Sequence, residues 1–292
     1  MNLRSIKTFQ NKNFIMKHTQ LFVFIWMVLI LASCGKDLNS LSVINSESFN
    51  ERQVNLHFQS GLDLIADSLV DNAQSALSNN QQLVLNELDE LIAMTKLVSK
   101  SESDSIWDEL SRKWNKFNAD HFGNAGTPFS LNYVSFDSSE IFPEAINKWT
   151  ELNIELVKLL GEVRFGDALE KILYGYENAP FSEKRIKSII YTHVFDQVYI
   201  NIIGSSSVDY QHTTGGNVRI IQETNYPKSN EMIIKTECSD VRYMDIFIRI
   251  PSWAINPTVS QGNVKYVARP GEYCQISKKW KTGVEIKVVL KN

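Results

Sequence analysis

The hydrophobic residues of this chain change their spacing near residue 190, and this change constrains the fold more than any other feature. From residue 51 to residue 190 apolar residues recur at steps of three and four, as on one face of a helix. From residue 191 onward short strand-like runs appear, and in two of them apolar residues recur largely at every second position, as in a strand with one buried face. Helices followed by strands, rather than alternating with them, predict an α+β fold with segregated layers.

The first of these regions is expected to hold five or six helices. Phe58, Leu62, Ile65 and Leu69 fall on one face of the first predicted helix. Ser103 is a candidate N-cap for a later one, because its hydroxyl can accept a hydrogen bond from the first turn. The other predicted helical segments are 83–94, 106–114, 142–160 and 166–174, and a loop containing Gly and Pro separates two of them at 123–139.

The second region predicts a small antiparallel β-sandwich. Apolar residues alternate with polar ones in 245–250 and 285–290, as one face of a sheet over a core requires. Turn residues such as Gly215-Gly216 and Pro270-Gly271 separate the runs. The predicted strands are 194–203, 217–222, 232–236, 245–250, 273–277 and 285–290.

The N-terminus has the features of a bacterial lipoprotein signal. Four basic residues and no acidic one precede an apolar run of about 12 residues, which is shorter than the roughly 20 that span a bilayer. The run ends in Leu-Ala-Ser-Cys at 31–34, which resembles the lipobox. That resemblance implies that residues 1–33 are a signal peptide and that Cys34 carries the lipid that holds the mature protein on the membrane.

The residues after Cys34 bear on location and on partners. Gly35-Lys36-Asp37 partly resembles the export signal of Bacteroidetes lipoproteins, which implies an outer-membrane anchor, with the cell surface and the periplasmic face both open. Residues 34–50 are rich in Ser and Asn and are interpreted as a tether. Without the signal, 26 of the 30 basic side chains remain against 33 acidic ones, so no basic surface for nucleic acid is expected.

The spacing of few residues in this sequence indicates a catalytic or metal-binding role. Cys238 and Cys274 remain after lipidation and form a candidate disulfide in an oxidising compartment. No histidine lies at metal-ligand spacing, and the chain has no Gly-x-Ser-x-Gly, phosphate-binding loop or Gly-x-Gly-x-x-Gly. The sequence therefore predicts no catalytic residue, no metal site and no cofactor.

Three motifs of the sandwich region, in this order, resemble the C-terminal β-sandwich of glycoside hydrolase family 127, which includes β-L-arabinofuranosidases. They are Gln222–Pro227, Ile246–Ala254 and Gly271–Trp280. Upstream, Asp167–Tyr174 is similar to the family's Asp-x-x-Glu-Arg-x-Leu-Tyr-Asn helix. The resemblance covers about residues 165–292.

The family's chemistry implies requirements that this chain does not meet. The family uses a large (α/α)6 barrel and a zinc ion held by one glutamate and three cysteines, one of which attacks the sugar. The interval that corresponds to the family's paired cysteines, 175–195, contains none. The helices are also too few for the barrel, so the helical region is either a remnant of it or an unrelated module. Glu170 matches the family's helix glutamate and is a candidate residue of a residual pocket, the alternative being a surface carboxylate beside Lys171.

Together these observations predict four segments: a signal peptide (1–33), a tether (34–50), a helical region (51–190) and a β-sandwich domain (191–292). The expected function is that of a membrane-anchored, non-catalytic relative of glycoside hydrolase family 127 that binds or handles glycans. One alternative is an active glycoside hydrolase with a different pair of carboxylates. The other is a structural or partner-binding surface lipoprotein.

Overall fold

Two β-sheets form the C-terminal part of the protein. The structure is a computed structural model that describes residues 43–57, 77–101, 103–123, 142–175 and 181–291. The five-stranded sheet has the order β1 (Glu47–Ser48), β3 (Tyr191–Val194), β4 (Gln197–Ile200), β8 (Arg242–Arg249) and β11 (Tyr273–Trp280). The seven-stranded sheet has the order β10 (Val264–Tyr266), β9 (Thr258–Gln261), β12 (Val284–Val289), β7 (Glu231–Cys238), β6 (Asn217–Thr224), β5 (Ser206–Gln211) and β2 (Val54–Leu56).

The two sheets face each other across an apolar core. Along β8 the alternating residues Met244, Ile246 and Ile248 are buried between the sheets. The Tyr191 hydroxyl of β3 lies 2.9 Å from the Ser206 hydroxyl of β5, so the sheets are also joined by a buried hydrogen bond. The predicted alternation of apolar and polar residues is therefore confirmed along this strand. Its cause is the one expected of a sandwich, since every second side chain packs between the two sheets.

One strand pair departs from the predicted antiparallel arrangement. Strand β4 runs parallel to β8, with Gln197 opposite Asp245 and Tyr199 opposite Phe247. The other pairings described are antiparallel. The parallel pair arises because the chain leaves β4, builds three strands of the other sheet and returns to β8 from the same end.

The helices of the described part are α1 (Asn79–Ser101), α2 (Asp104–Phe122), α3 (Pro143–Leu160), α4 (Val163–Gly175) and the short α5 (Glu183–Lys187). Trp114 and Trp149 stack with their rings 5.2 Å apart at the centre of this region. The Trp114 indole donates to Asn153 Oδ1 at 3.0 Å, which satisfies the polar atom of a fully buried ring. Ser103 takes the predicted N-cap position of α2, although its side chain makes no capping hydrogen bond.

Two short strands lie where the sequence predicted a tether and the start of a helix. β1 lies in the predicted tether and pairs with β3, and β2 lies where the first helix was predicted to begin and pairs with β5. The Val54 side chain is 1% exposed, so this edge of the sheet closes over the core. Strands of two and three residues are too short to carry a readable period. The rest of the first predicted helix, most of the 123–139 loop, the leader and Cys34 lie outside the described residues.

None of the described helices combines the length and the hydropathy that are needed to span a bilayer.

Candidate functional site

A buried cluster of charges joins α4 to the outer side of the five-stranded sheet. Asp167 and Glu170 are three residues apart and therefore lie on the same face of α4. Both carboxylates pair with the guanidinium of Arg249, the last residue of β8, and the Arg249 Nε donates to the Asn201 carbonyl. The side chain of Arg249 is fully buried, so its charge depends on these partners.

Backbone groups complete the hydrogen bonding of the two carboxylates. The Ile203 amide donates to Glu170 Oε1 at 2.7 Å, and the Ser252 amide donates to Asp167 Oδ2 at 3.0 Å. The Tyr226 hydroxyl donates to Glu170 Oε2 at 3.2 Å. Each carboxylate thus has both a cation and neutral donors, which is the arrangement that a buried acid needs.

The electrostatics of the cluster follow from burial. Burial raises the pKa of Glu170 above its ordinary value, although Arg249 acts in the opposite direction. Burial alone would lower the pKa of Arg249, but the Glu170 and Asp167 charges outweigh it and raise that pKa. Burial and then the Glu170 charge raise the pKa of Tyr226. Arg249 is therefore charged at any physiological pH, and Tyr226 is a neutral donor.

Gly166 allows α4 to lie this close to the sheet. A Cβ atom at this position would be 2.7 Å from Arg249 Cδ and 3.2 Å from the Asn201 carbonyl oxygen. Those distances are shorter than normal contacts, and Arg249 cannot move aside without breaking its ion pairs. A residue without a side chain is therefore required here.

The charged cluster brings together the residues on which the family resemblance depends. Asp167, Glu170 and Tyr174 come from the helix motif, Tyr226 from the first sandwich motif and Arg249 from the second. The rings of Tyr174 and Tyr226 meet edge to face at 5.2 Å. These motifs therefore hold the helical region on the sandwich, and sequence spacing alone could not reveal that they meet.

The burial of Glu170 decides against one of the two positions considered for it from the sequence. It is 1% exposed, so it is not a surface carboxylate. Its place in a residual pocket stays a prediction; it does not line either of two cavities formed by the described residues. One, of about 510 Å³, lies between α1 and α3, and the other, of about 710 Å³, lies beside Phe49 and Lys184. Its role in the described structure is to pair with Arg249.

The two cysteines are both free thiols, so the candidate disulfide does not form. The Cys238 amide donates to the Thr282 hydroxyl, which follows the C-terminal end of β11. Cys274 lies near the other end of β11, and the six residues from there to Trp280 span about 20 Å. A disulfide requires Cα atoms within about 7 Å of each other.

These residues also fail to fit a zinc-thiolate site. Cys274 is buried, and burial raises the pKa of its thiol to about 11. Cys238 is too distant to share an ion with it, and Glu170 is paired with Arg249. No three His, Cys, Asp or Glu side chains in the described ranges are grouped so as to hold a metal.

A second polar cluster, at the turn between β5 and β6, was not predicted. The Tyr210 and Thr213 hydroxyls donate to Asp196, and the Thr213 amide donates to Asp196 Oδ1 at 3.0 Å. His212 Nε2 lies 3.4 Å from Asp196 Oδ2, and His212 Nδ1 accepts from the Thr214 amide at 3.2 Å. Burial would raise the pKa of Asp196, but the hydrogen bonds from Thr213 and Tyr210 outweigh it and hold it below its ordinary value. The cluster fixes the turn.

Comparison with known proteins links the sandwich to one family. Residues 197–292 match the model of the "Beta-L-arabinofuranosidase, GH127 middle domain". No curated protein matches the chain. Among solved structures, a GH127 beta-L-arabinofuranosidase from Geobacillus stearothermophilus T6 is 16% identical with a TM-score of 0.52, and a GH127 beta-arabinofuranosidase is 17% identical with a TM-score of 0.51.

The two structural matches cover most of this chain but less than half of each of the other two proteins. They cover 70% and 80% of this chain, so the shared fold reaches beyond the sandwich into the helical region. The helical region therefore shares part of its fold with those two proteins. The chain spans 41% and 46% of the lengths of those two proteins. The C-terminal part of the chain, from residue 197 to residue 292, therefore resembles glycoside hydrolase family 127 in both sequence and fold.

Proposed function

We propose that this protein is an exported lipoprotein, anchored to the outer membrane through Cys34, that binds or handles glycans without hydrolysing them. The match of residues 197–292 to the GH127 middle domain carries the glycan assignment. The warrant is a likeness of family and fold, because the two solved relatives are named for activity on arabinofuranosides. The alternatives remain an active hydrolase and a structural lipoprotein.

The residues described above support a non-catalytic role. The interval 175–195 has no cysteine, and the free thiols of Cys238 and Cys274 lie too far apart to share a metal. Glu170 is engaged by Arg249 in a buried ion pair. The residues that would bind zinc and attack a sugar in the family thus have no counterpart in the part of the chain that the structure describes.

The direct test of this role is an assay of the mature protein on an aryl β-L-arabinofuranoside, with zinc measured on the same sample by mass spectrometry. The proposal expects no release of the aryl group and less than one zinc per ten chains. Turnover with stoichiometric zinc would establish the hydrolase alternative. Turnover without zinc would indicate an acid and base pair of carboxylates, which lie roughly 5 to 9.5 Å apart in glycosidases.

The anchor is tested by cell fractionation. Cys34→Ala is expected to move the protein from the membrane fraction to the soluble fraction, because the lipid can no longer be attached. Cys238→Ala is the matched control and is expected to stay with the membrane. Release of the control, or retention of Cys34→Ala, would contradict the anchor. Protease treatment of intact cells then distinguishes the cell surface from the periplasmic face.

A further inference from the structure

Among the described residues, the outer side of the five-stranded sheet is buried at one end of β8 and exposed at the other. Arg249, at the end of β8, is buried under α4, whereas Tyr243, six residues earlier on the same side of the strand, is 58% exposed. Between them Phe247 and Asp245 are half-buried. We call this exposed end the open face. Strand β8 contributes Tyr243, Asp245 and Phe247, strand β11 contributes Gln275, Ser277 and Lys279, and Gln197 and Phe195 lie on the other side of β8.

The open face carries aromatic rings at regular positions. The Phe247 ring stacks on Tyr199 at 4.4 Å with an angle of 11° between the planes, so its position is fixed. Tyr243 points to the same side four residues away, at about 13 Å along the strand. Outward positions on an exposed sheet are ordinarily polar, so two aromatic residues there are unusual.

Phe195 is a third aromatic residue near this face, and both its exposure and its backbone conformation are unfavourable for phenylalanine. It is 80% exposed and has φ +51°, a conformation that bulky side chains rarely adopt. Strained residues of this kind tend to persist at binding sites. Phe195 lies in the turn between β3 and β4, and the carbonyl of the next residue, Asp196, accepts a hydrogen bond from the Asp245 amide at 3.1 Å, so Phe195 lies near the Tyr243 end of β8. Folding alone would favour Asn or Gly at this turn.

Hydrogen-bonding side chains lie among the rings. The Asp245 Oδ1 atom is buried without a hydrogen-bond partner, although nearly all buried acceptors have one. Gln197 and Ser277 lie on either side of Asp245 in the register, and both are exposed. The Asp245 side chain is half-buried, and a carboxylate accepts hydrogen bonds on both of its oxygens, so a ligand hydroxyl can donate to it.

The charge of the open face narrows the ligand class. Its charged members are Asp245 and Lys279, which lies opposite Tyr243 in the register, so the surface offers one acid and one cation and no group of cations for phosphate or for a polyanion. Flat aromatic rings beside amides and one carboxylate instead match the alternating C–H and hydroxyl groups of a sugar. We propose that the open face binds a neutral oligosaccharide, with sugar rings packed on its aromatic side chains and sugar hydroxyls bonded to its carboxylate and amides. This site rests on the proposed glycan-binding function and gives it a location.

The test is isothermal titration calorimetry of the mature protein with a β-L-arabinofuranosyl oligosaccharide. Phe195→Asn removes a ring and places a residue that tolerates positive φ, so its melting temperature is expected to equal or exceed that of wild type. Its affinity is expected to fall at least about tenfold, as is that of Tyr243→Ala. Tyr243→Phe keeps the ring and is expected to retain most of the affinity.

Tyr266→Ala is the matched control, because Tyr266 is a partly exposed tyrosine on β10 of the other sheet. Its affinity is expected to equal that of wild type. If wild type binds and Phe195→Asn and Tyr243→Ala bind equally well, the open face is not the site, while the proposed function stands. If wild type binds no sugar, the proposed function fails and the site fails with it.

Discussion

Replacing Arg249 by methionine tests whether the buried charged cluster holds the helical region on the sandwich. Methionine fills much of the same space but leaves Asp167 and Glu170 buried without their cation. Breaking a buried ion pair in this way costs about 3–5 kcal/mol. That is a large share of the roughly 5–15 kcal/mol by which a domain is stable.

Urea denaturation followed by circular dichroism measures the effect. With a slope of about 2 kcal/mol per molar urea, a loss of about 4 kcal/mol lowers the midpoint by about 2 M. Arg219→Met is the matched control, since Arg219 makes two hydrogen bonds to Asp209 at 2.7 and 3.0 Å on the surface. Both partners are more than 40% exposed, and such pairs contribute less than about 1 kcal/mol.

The pH dependence of the variant gives a second result. Burial already raises the pKa of Glu170 in the wild type, and removing Arg249 removes the group that opposes this shift. A carboxyl with a higher pKa in the folded state binds more protons when folded, so the variant regains stability as pH falls from 7 towards about 4.5. An Arg249→Met variant that loses no more stability than Arg219→Met would refute the reasoning.

Two further substitutions and one thiol-labelling experiment test other parts of the structure. Gly166→Ala is expected to lose about 1–3 kcal/mol in urea denaturation, because its new methyl group meets Arg249; an unchanged midpoint would contradict the close packing. Asp196→Asn is expected to lower the melting temperature at pH 7. The difference from wild type should narrow as pH falls below about 3.8, because the unfolded carboxyl then binds a proton while the folded one, whose pKa is depressed, binds it only at lower pH; an equal difference at pH 3 would be inconsistent with that shift. Thiol labelling of the unreduced protein is expected to modify Cys238 slowly and Cys274 only after unfolding, and a protein without titratable thiols would indicate a disulfide.

The sequence predicted the large elements of the fold because their hydrophobic periods are long enough to read. Helix α3 was expected over 142–160 and spans Pro143–Leu160. The short edge strands β1 and β2 were missed, since two or three residues carry no period. The 194–203 run was predicted as one strand, but Phe195 and Asp196 turn the chain, so β3 and β4 form a hairpin.

The candidate site was less accessible to sequence reasoning. Glu170 was noticed for its place in a motif, but its partner Arg249 is 79 positions later, and only the tertiary fold brings them together. The sequence does carry a signal of the open face. In Tyr243-Met-Asp-Ile-Phe247 the outward positions hold two aromatic residues and one acid, where a solvated strand would ordinarily hold charges.

The central claim is that this protein binds glycan and does not hydrolyse it, and one calorimetric titration of the mature protein with a β-L-arabinofuranosyl oligosaccharide tests both parts. Binding gives heats that saturate and return to baseline after each injection, whereas turnover gives a continuing heat. The account predicts a saturating isotherm with a stable baseline. A sustained heat that scales with substrate would contradict the non-catalytic role, and a flat trace would contradict glycan binding.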